Sequence, residues 1–224
     1  MEFLFRSVSV HFERIPALHD VSCDINDGDI IALTGPTGAG KTTFLRLMYM
    51  DLYPTGGSIF INGQDTRTIR NRHLPGLRRR MGIVFQDFKL LDNRTVYENV
   101  IYPLYSVGTP KKEADKRCLE VLSEIGISYL RNKFPQQLSG GEKHLTALAR
   151  AITLKPELLL ADEPTGNLDA ESSKKVAALL KQVVAGGTTV VLATHSKDML
   201  DLFPDARRFI LNEGVLTIQH EKVA

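Results

Sequence analysis

The run Ile30-Ile31-Ala32-Leu33-Thr34-Gly35-Pro36-Thr37-Gly38-Ala39-Gly40-Lys41-Thr42-Thr43 decides the fold. Residues 30–33 are apolar and follow the turn signal Asn26-Asp27-Gly28-Asp29, which predicts a short buried strand. Gly35 through Thr42 then has the spacing G-x-x-x-x-G-K-[ST]. Glycines there let successive backbone N–H groups curl around phosphate oxygens, and the next helix offers the positive end of its dipole. Lys41 places an ammonium between the outer phosphates, and the Thr42 hydroxyl can ligate Mg²⁺. Residues 42–50 carry apolar side chains at helical spacing and predict that helix. A plain glycine-rich turn is the alternative, and the strand before and helix after the loop weigh against it.

Outward from this loop, residues 3–12 alternate and read as an edge strand, with 21–25, 57–61 and 83–85 as further strands. Residues 158–161 and 188–193 are apolar strands around a helix at 172–184. A terminal hairpin follows, 209–211 with 216–218, around Glu213-Gly214. Strands alternating with helices predict a mostly parallel sheet covered on both faces, that is, an α/β fold. From about residue 87 to 151 the character changes. Pro103, Pro110 and Pro135 punctuate this stretch, and 111–125 predict an amphipathic helix with Ala114, Cys118, Leu119, Val121, Leu122 and Ile125 on its apolar face. The stretch reads as a helical insertion.

The bulk properties exclude several classes. The chain has 224 residues, 43% hydrophobic and 24% charged, enough for one large domain or two joined subdomains. A net charge of +2 lacks the basic excess of a dedicated nucleic-acid binder. Cys23 and Cys118, the only cysteines, form no metal or redox spacing, which fits a reducing compartment. No apolar run reaches the roughly 20 residues that cross a bilayer. The stretch Met1-Glu2-Phe3-Leu4-Phe5-Arg6 lacks the basic-then-apolar pattern of a signal peptide.

Two further motifs carry chemistry. Leu158-Leu159-Leu160-Ala161-Asp162-Glu163 is an apolar strand ending in two carboxylates, at the end where open α/β sheets hold their ligand. There Asp162 can hold Mg²⁺ through water, and Glu163 can orient or deprotonate an attacking water. Leu138-Ser139-Gly140-Gly141-Glu142 precedes a helical pattern with Leu145, Leu148 and Ile152, and so makes a second anion-ready helix start. Its plainer reading is an ordinary N-cap. One phosphate loop has no need of a second such site in its own pocket, but a second copy of the chain would.

These motifs, in this order, resemble the ATP-binding cassette (ABC) ATPases along essentially the whole chain. The resemblance implies a P-loop NTPase of the ABC type: an α/β nucleotide-binding core at about 1–86 and 155–224 with an antiparallel β edge, and a helical subdomain at 87–154. It implies ATP and Mg²⁺ as ligands and a homodimer in the ATP-bound state. Phe12 stands where the family stacks an aromatic ring on adenine. Residues 35–43, with Thr43 closing the loop, bind the phosphates. Gln86, in Val84-Phe85-Gln86-Asp87, matches the glutamine that reaches Mg²⁺ and the attacking water. Ser139, Gly140, Gly141 and Glu142 match the signature that closes over the γ-phosphate held by the opposite subunit. Asp169, in Gly166-Asn167-Leu168-Asp169, matches a loop that communicates between sites, and His195 matches a histidine that contacts the γ-phosphate. Taken singly, each has a plainer reading: core packing for Phe12, a surface residue for Gln86, a helix N-cap for Asp169, a satisfied polar residue for His195.

Narrower features select a branch. The stretch from Ala161 to Asp169 resembles the ATPases that serve lipoprotein release, macrolide export and cell division. Segments 77–87 and 90–100 resemble most the cell-division branch, which implies an FtsX-like integral membrane protein as partner, a location on the inner face of the membrane, and control of peptidoglycan hydrolases. A lipoprotein-release or macrolide-type exporter is the alternative. A soluble ATPase acting on nucleic acid or ribosomes is more remote, since no zinc spacing or basic excess is present. The signature is commonly followed by Glu-Gln-Gln-Arg in this family, whereas this chain reads Glu142-Lys143-His144-Leu145. Arg67, Arg70, Arg72, Arg78, Arg79 and Arg80 form a basic cluster, read as a solvated face, with anionic lipid or an acidic partner as the alternatives.

Overall fold

The computed structural model describes residues 1–13, 15–166 and 168–219. The elements, in chain order, are β1 (Phe3–Phe12), β2 (Ile15–Ile25), β3 (Ile30–Thr34), α1 (Lys41–Met48), β4 (Gly56–Ile61), β5 (Gln64–Asp65), α2 (Leu74–Arg78) and β6 (Met81–Val84). There follow α3 (Val96–Ser106), α4 (Lys111–Glu124), α5 (Gly140–Ile152), β7 (Leu158–Asp162) and α6 (Ala170–Ala185). The last elements are β8 (Thr189–Ala193), α7 (Lys197–Asp201), β9 (Arg207–Asn212) and β10 (Val215–Gln219). Two sheets organise them, a four-stranded antiparallel one in the order β2-β1-β4-β5 and a six-stranded one in the order β10-β9-β3-β8-β7-β6. In the larger sheet every neighbouring pair is parallel except the β9–β10 hairpin.

The larger sheet is buried on both faces, which explains why β7 and β8 read as continuous apolar runs. Alternate residues serve two cores. Ile31, Leu33, Leu158, Leu160, Val191 and Ala193 face α1 and the antiparallel sheet. Ala32, Leu159, Ala161, Val190 and Leu192 face the helices between β6 and β7 and helix α6. The first core is keyed by Phe44 of α1, stacked on Phe5 at 4.7 Å and edge-on to Phe209. Gly82 lets α5 lie close on β6: a methyl there would stand 2.5 Å from the Ala151 carbonyl oxygen.

Four expectations need correction. Residues 3–12 do not form an edge strand, because β1 pairs with β2 on one side and β4 on the other. Strand β2 begins at Ile15, six residues before the apolar alternation made it legible. Pro103 does not end a helix but lies inside α3. That helix is nucleated by a capping box in which the Thr95 hydroxyl accepts from the Glu98 N–H and Glu98 accepts from the Thr95 N–H. Leu119 is 46% exposed, outside the apolar face of α4, whereas Ala114, Cys118, Val121 and Leu122 are fully covered. The arginine cluster is also less free than its sequence suggests. Arg67 pairs with Asp65 and Arg80 forks onto Glu157, while Arg78 and Arg79 donate to backbone carbonyls of Tyr49, Met50 and Ser106.

Candidate active site

Helix α1 starts without a side-chain cap, and its N-cap Gly40 has φ 105°, in the left-handed region. A methyl at Gly40 would meet the Ala17 carbonyl oxygen at 2.7 Å, so only glycine fits. Uncapped, the first-turn N–H groups are disposed to receive an anion. Lys41 Nζ donates to the carbonyls of Gly35 (2.8 Å) and Pro36 (3.1 Å), holding its ammonium across the loop. The Thr42 hydroxyl donates to Asp162 Oδ2 at 2.8 Å, joining the start of α1 to the end of β7.

Asp162 is the last residue of β7, paired with Ala193 at the end of β8. Glu163 comes next with φ 49°, a left-handed conformation that costs a non-glycine residue about 1–2 kcal/mol. The surroundings hold it there. Its N–H donates to the Ala193 carbonyl at 2.8 Å. One carboxylate oxygen accepts from the Thr194 hydroxyl at 3.1 Å, and the other meets His195 Nδ1 at 2.7 Å. Adjacent parallel strands thus deliver both sides of the contact from their carboxyl ends, and Glu163 is buried while the His195 side chain is 65% exposed. Gln86, just beyond β6, borders the same cleft of about 340 Å³ with Thr37, Gly38, Thr43 and the residues already named. Burial pushes the Asp162 carboxyl above its ordinary value and the Glu163 charge adds to this, while the Thr42 hydroxyl and Lys41 oppose it.

The cleft suits a hard cation carried on phosphate. Thr42 and Asp162 are in direct contact, Gln86 adds an amide oxygen, and burial disfavours the Asp162 charge more than Thr42 and Lys41 relieve it. Among the described residues no cluster of three or more His, Cys, Asp or Glu side chains could hold a metal by protein ligands alone. A small oxygen donor set completed by substrate phosphates is the usual site for Mg²⁺.

The remaining expected residues lie elsewhere. Phe12 ends β1 and is 41% exposed, but Ile15, Pro16 and Ala17 line the cleft at that corner and Phe12 does not. Gly35, Pro36 and Ala39 shape the loop from behind. Ser139 caps α5, its hydroxyl accepting from the Glu142 N–H while Glu142 Oε2 accepts from the Ser139 N–H at 2.8 Å. That bond holds the Glu142 carboxyl below its ordinary value. Asp169 caps α6 by accepting from the Ser172 N–H at 2.8 Å. None of Ser139, Gly140, Gly141, Glu142 and Asp169 borders the phosphate-loop cleft of its own chain, and Asn167 lies outside the described residues. Thr194 and Ile15 escaped the sequence reading. A buried threonine after an apolar strand and an isoleucine beside a proline carry no motif, and only the strand register and the cleft reveal them.

A sequence profile described as "ABC transporter" matches residues 18–166. The Cell division ATP-binding protein FtsE of Bacillus subtilis is 41% identical over 202 residues, 90% of this chain and 88% of that protein. The Methionine import ATP-binding protein MetN of Xanthomonas euvesicatoria is 40% identical over 95% of this chain, which is 64% of that protein. The dimeric structure of MJ0796, a bacterial ABC transporter cassette, superposes with a TM-score of 0.90 at 32% identity, covering 99% of each chain. A post-hydrolysis state of that cassette, bound to ADP and Pi, gives a TM-score of 0.87 over the same coverage.

Proposed function

The chain belongs to the ABC transporter family and is an ATP-binding ATPase, and from that premise we propose that two copies close around two ATP–Mg²⁺ complexes to drive an FtsX-like integral membrane protein in cell division. The observation that carries the two-copy reading is the position of the signature. Ser139 and Glu142 close the start of α5 with a capping box, and the signature they belong to stands outside the cleft of its own chain, which supports a partner site on another copy. In this reading Lys41 and the loop N–H groups balance the phosphate charge. Thr42, Asp162 and Gln86 hold Mg²⁺, which when bound neutralises charge on the transferred phosphoryl oxygens. Glu163 orients the attacking water and accepts its proton, and His195, already touching Glu163, approaches the γ-phosphate. Phe12 lies against adenine, and Asp169, capping α6 beside the signature helix, relays the state of one site to the other. Loss of the bridging γ-phosphate then loosens the dimer.

The FtsE likeness supports the cell-division branch, with peptidoglycan hydrolase control as its output. No helix among the described residues is long and apolar enough to cross a membrane, so attachment to the inner face of the membrane comes through the partner. A groove of about 510 Å³ between β6, α3 and α5 is the proposed seat for that partner. Arg78, Arg79, Lys89 and Arg150 line it with Phe85 and Tyr102, and no carboxylate is among its lining residues. A second reading, a cassette serving a substrate transporter, draws on the MetN likeness over 95% of the chain.

One set of measurements tests the chemistry and the pairing together. Glu163→Gln keeps its ATP affinity, loses most of its turnover, and changes from monomer to dimer on ATP–Mg²⁺ but not on ADP. Lys41→Ala loses nucleotide binding itself. Near wild-type hydrolysis by Glu163→Gln overturns the choice of base, and a light-scattering mass indifferent to ATP overturns the pairing.

A further inference from the structure

His144 lies in the first turns of α5, just after the signature, and its side chain is covered to 3% exposure. Neither ring nitrogen has a hydrogen-bond partner. Folded proteins rarely leave a buried polar group unpaired, and those left so call for a reason. The surroundings of the ring supply one. Its edge meets Phe88 in a T-shaped contact, centroids 4.5 Å apart. Burial drives the ring's pKa below the usual histidine value, and the nearby backbone of Glu163 and Gly140 opposes this by favouring the charged form.

Phe88 and its neighbour Lys89 lie two and three residues beyond Gln86, and both are left-handed, with φ 62° and 48°. Two consecutive non-glycine residues in that region need external support. Helix α5 supplies it. Arg150 donates to the carbonyls of Phe88 (2.7 Å) and Lys89 (2.6 Å), and His144 presses on the Phe88 ring. One helix thus carries Ser139 at its start, grips the kink that follows Gln86, and sets an unpaired ring beside the left-handed Glu163.

We propose that His144 is a positioning residue: its ring joins the signature helix to the Phe88–Lys89 kink, and on nucleotide-driven closure donates an N–H to the Glu163 carbonyl, fixing the backbone that aims the Glu163 carboxylate. The inference rests on the reading of Glu163 as the group acting on water. It assigns His144 no contact with nucleotide, so it separates from a binding role.

The test compares two variants. His144→Leu keeps bulk without a donor, and His144→Gln keeps a donor of similar reach. With His144→Leu, kcat falls about tenfold while the Kd for ATP stays within about twofold; with His144→Gln, kcat stays within about threefold of wild type. Equal kcat for the two variants, at any level, overturns the proposal, because bulk alone would then account for the residue. In the unaltered protein, ring ¹⁵N NMR reads the same point without a substitution. One His144 nitrogen becomes a hydrogen-bonded N–H on addition of a non-hydrolysable ATP analogue with Mg²⁺, and an unchanged ring overturns the proposal. Glu163→Gln run alongside tells the failures apart. If it remains active, the reading of Glu163 fails; if it is inactive while the two His144 variants match, only this inference fails.

Discussion

At the scale of the residue, the site is built from strained or desolvated groups whose neighbours hold them in place. Glu163 is left-handed, buried, and gripped by Thr194 and His195. Thr194 is 1% exposed and serves twice, donating to Glu163 and accepting from the Ser196 N–H at 3.1 Å. Thr194→Val keeps the shape and removes both bonds. We expect it to cost about 1–3 kcal/mol in urea unfolding, the penalty of a buried polar group left unpaired. Turnover should fall by about three- to tenfold with ATP affinity unchanged, since no contact to nucleotide is lost. Turnover at the wild-type level would show that His195 alone orients the carboxylate.

At the scale of the element, the signature depends on how α5 begins. The capping box of Ser139 and Glu142 satisfies two orphan N–H groups reciprocally, and Thr95 with Glu98 does the same for α3. In both boxes a backbone N–H holds the glutamate below its ordinary value, Ser139 for Glu142 and Thr95 for Glu98. A carboxyl with a lowered folded value stabilises the fold fully above the unfolded value and loses that contribution as pH falls through the folded one. The first turn of α5 should therefore begin to fray below about pH 4, the range where glutamate titrates. Amide hydrogen exchange at Lys143 measures it. Glu142→Gln, which keeps an acceptor but not the charge, should remove the acid step, and an identical acid step in that variant would place its cause elsewhere. This capping was legible in the sequence, since S-x-x-E and T-x-x-E are local patterns. The run of α3 through Pro103 was not, because the covering of Val96, Val100, Ile101 and Leu104 outweighs the propensity of one residue.

At the scale of the whole molecule, the groove between β6, α3 and α5 gathers cations from three distant stretches of sequence. Two of the six arginines in the basic cluster are neutralised, Arg67 by Asp65 and Arg80 by Glu157. Lys89 is paired with Asp87, so the charge without a carboxylate partner in the groove falls to Arg78, Arg79 and Arg150, around an apolar floor with Tyr102 exposed above it. On the reading proposed above, an acidic, partly apolar segment of the membrane partner would fit this surface. In flotation assays the protein should float with vesicles that contain the FtsX-like partner, and Arg79→Glu should release it with ATP binding intact. Binding to protein-free anionic vesicles that high salt abolishes, unaltered by the partner, would assign the groove to lipid instead.

Sequence alone determined the phosphate loop, the two carboxylates at the end of β7, the signature, and the alternation of strand and helix that makes the fold α/β. Each is a local pattern, in which neighbours a few residues apart share one turn or one strand and the chemistry follows from their order. Tertiary structure alone decided that β1 is an interior strand, that Thr194 holds Glu163, that Ile15 lines the cleft, and that His144 is buried without a partner. Those facts rest on contacts between segments tens of residues apart. Pairing and burial are set there by the register of the sheets and by what covers each face, and neither is written in the residue's own neighbourhood.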